Sequence, residues 1–153
     1  MKKATMVLIF NRDKSRVLLG YKKLGEIGQH TLNGPGGKNE PGESSEDCII
    51  RETFEEVGIV LNKESLIPVA LVTSYVAGVP DFEVTIFHSY EYAGHPIETA
   101  EMIPEWCHVS DLPFAQMLEG DRDWLPRAIR GESFHAHVYY KERVRYYERT
   151  EFV

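Results

Sequence analysis

A chain of 153 residues, 42% of them hydrophobic, suffices for one domain, residues 1–153, with a core that needs no disulfide or metal staples. Its formal net charge of −7 opposes binding to duplex nucleic acid or to an anionic membrane surface, so an anionic substrate requires local neutralisation, such as a bound cation. The only cysteines, Cys48 and Cys107, sit in apolar stretches without a spaced framework, which predicts buried, reduced thiols and a reducing cytoplasm.

Met1-Lys2-Lys3 precedes the apolar run Met6-Val7-Leu8-Ile9-Phe10, which is too short for a secretory core, and no stretch is long enough to span a bilayer. A soluble cytoplasmic protein is expected, and nothing in the sequence sets an oligomeric state. Residues 4–10 and 16–21 read as strands around the polar turn 11–15, together forming a hairpin. From Gly25 to Gly42, six glycines and two prolines exclude a regular element and predict a long, functional loop.

Ser44 followed by Asp47 resembles a capping box, and Gly58 stops the helical pattern, predicting a helix over 45–57 with Ile50, Phe54 and Val57 facing inward. Runs at 66–76 and 82–92 flank the turn Gly78-Val79-Pro80-Asp81, and a short strand follows near 105–109. Asp111-Leu112-Pro113 reads as a helix start. A further helix is expected at 122–130, with Pro126 in its first turn or kinking it. A closing hairpin over 133–140 and 144–152 completes a mixed sheet with helices packed on it.

The chemistry concentrates on the first helix. Glu52, Glu55 and Glu56 stand at i, i+3 and i+4, so their carboxylates converge on one face. Such a cluster is either a solvated acidic face or a site for a hard cation, and oxygen donors of this kind suit Mg²⁺ or Mn²⁺. The wider spacing decides between them. Gly37, Glu43, Arg51, Glu52, Glu55, Glu56 and Gly58 form G-x5-E-x7-R-E-x-x-E-E-x-G, with apolar Ile59 after it. Seven fixed residues of average usage match by chance in on the order of one chain in a million.

This signature resembles the Nudix box at every fixed position; Thr53 departs mildly, standing where the pattern prefers an aliphatic residue. The resemblance implies an α/β/α sandwich with a central mixed sheet and a loop–helix–loop metal site. It implies that Glu52, Glu55 and Glu56, helped by the Gly37 carbonyl, hold Mg²⁺, with Mn²⁺ a possible substitute. Arg51 would orient the glutamates and Glu43 support the loop. For the proton acceptor Glu56 is the first choice, with Glu52 and a distant-loop glutamate, Glu98 or Glu101, as competitors.

Leu32-Asn33-Gly34-Pro35-Gly36-Gly37-Lys38, Glu101-Met102-Ile103-Pro104, Leu112-Pro113-Phe114, Trp124-Leu125-Pro126 and Phe134-His135, in this order, resemble the oxidised-purine nucleoside triphosphatases of the family. That likeness implies that Asn33 binds the purine edge and that Asp121 is one of two acidic base-reading residues. Gly120 stands where the family has the other acid, and Leu118 where it has a tryptophan that stacks on the base. Asp123 or a tyrosine is left to substitute.

Lys38, beside the glycine loop, either meets a phosphate or is solvated. Trp106 and Trp124 read as core, and His135 and His137 as structural histidines. The function implied is a pyrophosphohydrolase of purine nucleoside triphosphates. The alternatives are a hydrolase of nucleotide sugars or other nucleoside diphosphate derivatives, and a nucleotide-binding module without turnover, which would be expected to have lost metal glutamates.

Overall fold

The computed structural model describes all 153 residues. Its main sheet has six strands, ordered β11-β10-β6-β7-β1-β4, where β1 is Lys2–Ile9, β4 Gly36–Lys38, β6 Ile67–Val76, β7 Val79–Ser89, β10 Phe134–Glu142 and β11 Arg145–Phe152. The β1–β7 and β6–β10 pairs are parallel and the others antiparallel. A smaller sheet joins β2 (Arg16–Lys22) to β3 (Leu32–Asn33) and β9 (Met102–His108), and β5 (Val60–Leu61) pairs with β8 (Tyr92–Ala93).

Two helices, α1 (Ser45–Val57) and α2 (Asp121–Ile129), serve separate cores. In β1, Leu8 and Phe10 beyond its end join the core with Trp124, Leu125 and Ala128 of α2, whereas Val7 and Ile9 join the one with Ile49 and Val57 of α1. Side chains of one strand alternate between its two faces, so a strand covered on both sides has to be apolar throughout. The uninterrupted run from Val7 to Phe10 is the signature of that position, and the result is an α/β/α sandwich.

The expected hairpin of β1 and β2 is not formed. The chain does reverse at residues 11–15, where Asn11 N–H donates to the Arg16 carbonyl and Phe10 bridges Val17. Beyond that bridge the strands part into different sheets, because β7 and β4 occupy both edges of β1. The hairpin of β6 and β7 forms as expected, but it turns at Ala77-Gly78, both with positive φ, and Pro80 and Asp81 lie within β7. No helix follows Asp111-Leu112-Pro113 beyond a three-residue 3-10 turn at Phe114–Gln116. Pro126 sits in the second turn of α2, whose start is Asp121.

Helix α1 has the expected bounds. The Ser44 hydroxyl accepts from Asp47 N–H at 3.1 Å, and Gly58, at φ 74°, ends the helix by donating to the Phe54 carbonyl. Its buried face is rotated from the expected one. Cys48, Ile49, Thr53 and Val57 are fully covered, whereas Phe54 is 58% exposed. The same rotation carries Glu56 inward, which matters for the site.

Candidate active site

The glycine loop reaches α1 through one short contact: the Gly36 N–H donates to Glu56 Oε1 at 2.7 Å. Close approach requires glycine here, since a Cβ on Gly36 would lie 1.9 Å from the Thr5 carbonyl oxygen and one on Gly37 2.5 Å from the Glu52 carboxyl carbon. Arg51 then fastens loop to helix. Its guanidinium grips Glu43 through Nε at 2.8 Å and Nη2 at 2.9 Å, donates to Glu52 through Nη1 at 2.8 Å, and reaches the Lys38 carbonyl at 3.3 Å. This pairing holds the Glu43 carboxyl down to about 2.

A third carboxylate arrives from the segment before β9. Oxygens of Glu52, Glu56 and Glu101 lie within 4.8 Å of one another. Thr99 sets the approach: its hydroxyl donates to the Glu56 carbonyl at 2.7 Å and accepts from the backbone N–H of Glu101 and Met102. Glu98 is turned away into an exposed ion pair with Lys23 at 2.7 Å, so of the two loop glutamates singled out in the sequence the structure brings in Glu101. Glu55 lies on the outer side of the helix, half exposed, with Arg51 Nη1 at 3.3 Å. It is not drawn into the three-carboxylate cluster.

Burial pushes the Glu56 carboxyl up to about 8 and raises that of Glu52 as well. The one cation facing all three carboxylates is Lys22, whose ammonium is disfavoured by burial, and it is committed to the Ile27 carbonyl at 2.7 Å. Three carboxylates, of which Arg51 pairs only Glu52 and Lys22 is shielded, fit a hard divalent cation, which would relieve their mutual repulsion. Lys22 went unremarked in the sequence because it closes a strand like any surface lysine.

A cavity of about 320 Å³ runs from this cluster into the core. Its walls include Glu52, Glu56 and Glu101 together with Asn33, Asp121 and Tyr140. Asn33 is buried, and its Nδ2 is held by the Thr31 hydroxyl at 2.8 Å, which leaves Oδ1 as the end available to a ligand. Asp121 is 5% exposed, and burial pushes its carboxyl up to about 7. Lys38 lines the mouth but is paired with Glu26 at 2.7 Å.

Leu118 and Trp124 also line the cavity, Trp124 while buried in the core as expected; Trp106 packs half-buried against the core beneath α1. Asp123 faces outward and receives the Tyr147 hydroxyl, so it does not replace the missing acid. His135 and His137 hydrogen-bond Thr73 and Tyr75, each at 2.7 Å, on another part of the sheet. They take structural roles there.

A glycine loop and a helix that gather carboxylates at the mouth of a deep cavity define a hydrolase built to work with a cation on an anionic substrate. Residues 1–128 match the family model described as the NUDIX domain, and the chain belongs to the Nudix hydrolase family, whose members generally use a divalent metal. It is 35% identical over 140 residues to the oxidized purine nucleoside triphosphate hydrolase of Mus musculus, spanning 91% of this chain and 86% of that one. The protein of the same name from Danio rerio is 35% identical over 130 residues, 85% of this chain and 81% of the other. In fold it is similar to a MutT protein from Bacillus halodurans, with a TM-score of 0.82, 19% identity and coverage of 99% and 97%. No helix is long and apolar enough to cross a membrane.

Proposed function

We propose that this Nudix hydrolase converts purine nucleoside triphosphates, oxidised purines foremost, to the nucleoside monophosphate and pyrophosphate, with Mg²⁺ as its cation and Mn²⁺ as a substitute. The observation that carries this reading is that one cavity is lined both by the carboxylates of Glu52, Glu56 and Glu101 and by Asn33 and Asp121. A triphosphate at the mouth thereby places its base against the two inner polar side chains. The names of the mouse and zebrafish relatives point to the same substrate class.

Water adds across the α–β phosphoanhydride: its oxygen bonds to phosphorus, the bridging P–O bond breaks, and one water proton passes to a base. Glu52, Glu56, Glu55 and the Gly37 carbonyl are the groups that would hold the cation, joined by Glu101. The cation when bound lowers the pKa of the attacking water and neutralises charge on the phosphoryl oxygens. Glu56 is the proton acceptor in this reading, since its carboxylate stands with those of Glu52 and Glu101 in the cavity wall, where the attacking water would be held. Gly36 N–H fixes its Oε1.

Arg51 holds Glu52 and Glu43 in place. Lys38 meets a phosphate once it exchanges Glu26 for the ligand. A hydrolase of other nucleoside diphosphate derivatives is the competing reading, favoured by Leu118 in the cavity wall, which offers no stacking face. Chromatography of the products separates the two. Monophosphate and pyrophosphate from dGTP or 8-oxo-dGTP with Mg²⁺, abolished in Glu56→Gln, support the proposal; no turnover of any triphosphate alongside cleavage of a nucleotide sugar would replace it.

A further inference from the structure

Gly120 has no room for a side chain. A Cβ there would lie 2.4 Å from Val138 Cγ1 and 2.8 Å from the Tyr140 hydroxyl oxygen. Tyr140 occupies the space that an acid at position 120 would need. It reaches this point from β10, buried to 3% exposure, with its ring edge-on to Tyr147 at 5.8 Å between centroids.

The Gly120 N–H donates to the Tyr140 oxygen at 3.1 Å, the one hydrogen bond that oxygen makes with the protein. A phenol oxygen that accepts in this way still carries its own proton, and a buried donor needs an acceptor. Tyr140 lines the cavity beside Asp121. The cavity wall holds a second polar atom awaiting a partner, Ser74 Oγ, which is buried and unpaired. The proton of the Tyr140 hydroxyl is thus the donor this wall holds for a polar ligand.

Resting on the reading that a purine enters this cavity, we propose that Tyr140 is a specificity-determining residue whose hydroxyl donates a hydrogen bond to an acceptor atom of the base. The contact differs in kind from one made by a second carboxylate. An ionised acid accepts from ring N–H and amino groups, whereas a phenol held by Gly120 donates, so this pocket selects for a base oxygen or unprotonated ring nitrogen. Asn33 Oδ1 supplies a complementary acceptor in the same cavity. Asp121 accepts when ionised and donates when neutral.

The test is equilibrium binding of three monophosphates, dGMP, 8-oxo-dGMP and the deoxyribonucleotide of 2-aminopurine, to the full chain and to Tyr140→Phe, alongside thermal unfolding. These probes differ in the oxygens at C6 and C8 and in whether N1 and N7 carry protons. Loss of one donor to a bound acceptor should weaken binding about tenfold for the probes that carry that acceptor and leave the others unchanged. Equal weakening of all three, or a lowered Tm with unchanged affinities, would overturn the proposal and leave Tyr140 as a brace for the 118–121 turn. Failure of the unmutated chain to bind any of the three would overturn it by removing the base from this cavity. Pyrophosphate release from triphosphates is scored separately, so the hydrolase reading stands or falls independently.

Discussion

Arg51 and Glu43 are joined by two near-parallel contacts, Nε to Oε2 at 2.8 Å and Nη2 to Oε1 at 2.9 Å, while the third nitrogen of the same guanidinium holds Glu52 at 2.8 Å. One planar group therefore sets the distance between the glycine loop and the acidic face of α1. Lysine has the charge but not the fork. Arg51→Lys should stay folded while kcat/KM falls roughly 10- to 100-fold, the usual effect of removing a group that orients metal-binding side chains. Steady-state kinetics with a Mg²⁺ titration checks this, and wild-type activity in the variant would contradict it.

Gly37 faces the same carboxylate from the loop side. A methyl group there would meet Glu52 Cδ at 2.5 Å and both of its oxygens within 2.8 Å. The flexible carboxylate can move aside, so Gly37→Ala should spare stability and raise the Mg²⁺ concentration needed for half-maximal activity. Gly36→Ala differs because its clash is with Thr5 backbone at 1.9 Å. That variant should lose at least about 1–3 kcal/mol in chemical denaturation, as overpacked sites do.

Thr53 is fully buried on α1, and its hydroxyl has no hydrogen-bond partner. Burial of an unpaired hydroxyl costs about 1–3 kcal/mol, and valine has nearly the same shape. Thr53→Val should therefore stabilise the protein by about 1 kcal/mol, which raises Tm by roughly 2–4 °C at this chain length. Calorimetry decides it. An unchanged or lower Tm would mean that the hydroxyl is satisfied after all.

These contacts divide what the sequence reveals from what it conceals. The bounds of α1 were legible because Ser44 and Gly58 are local signals, and the fold followed from the box and the alternating apolar runs. The inward face of α1 was not, since Phe54 is more apolar than Thr53 and only packing against β1 decides which is covered. Glu101 rather than Glu55 completes the tight cluster because Thr99 ties a loop over forty residues downstream to the end of the helix. The hairpin expected of β1 and β2 failed for the same kind of reason: long-range partners claimed both edges of β1.

Asp121 gives a pH signature. Its folded-state value of about 7 lies above the ordinary 3.8, because burial disfavours the charge. Between these values the folded protein keeps a proton that the unfolded chain has lost. The stability contributed by this group is thus full below about pH 4 and is lost as pH rises to about 7, by at most about 1.4 kcal/mol per pH unit. Asp121→Asn removes the dependence. Urea unfolding at pH 5 and pH 8 should show the variant gaining on the unmutated protein by on the order of 2 kcal/mol over that interval. Parallel changes in the two proteins would contradict the assignment.

The central claim is that the carboxylate cluster and the inner cavity act together on an oxidised purine nucleoside triphosphate. It is tested most directly by kcat/KM for pyrophosphate release across normal and 8-oxo purine and pyrimidine nucleoside triphosphates with Mg²⁺, with Glu55→Gln and Glu56→Gln as controls. The account predicts that 8-oxo-dGTP leads the series and that Glu56→Gln is inactive. Pyrophosphate release from none of them, or release that ignores the base altogether, would contradict it.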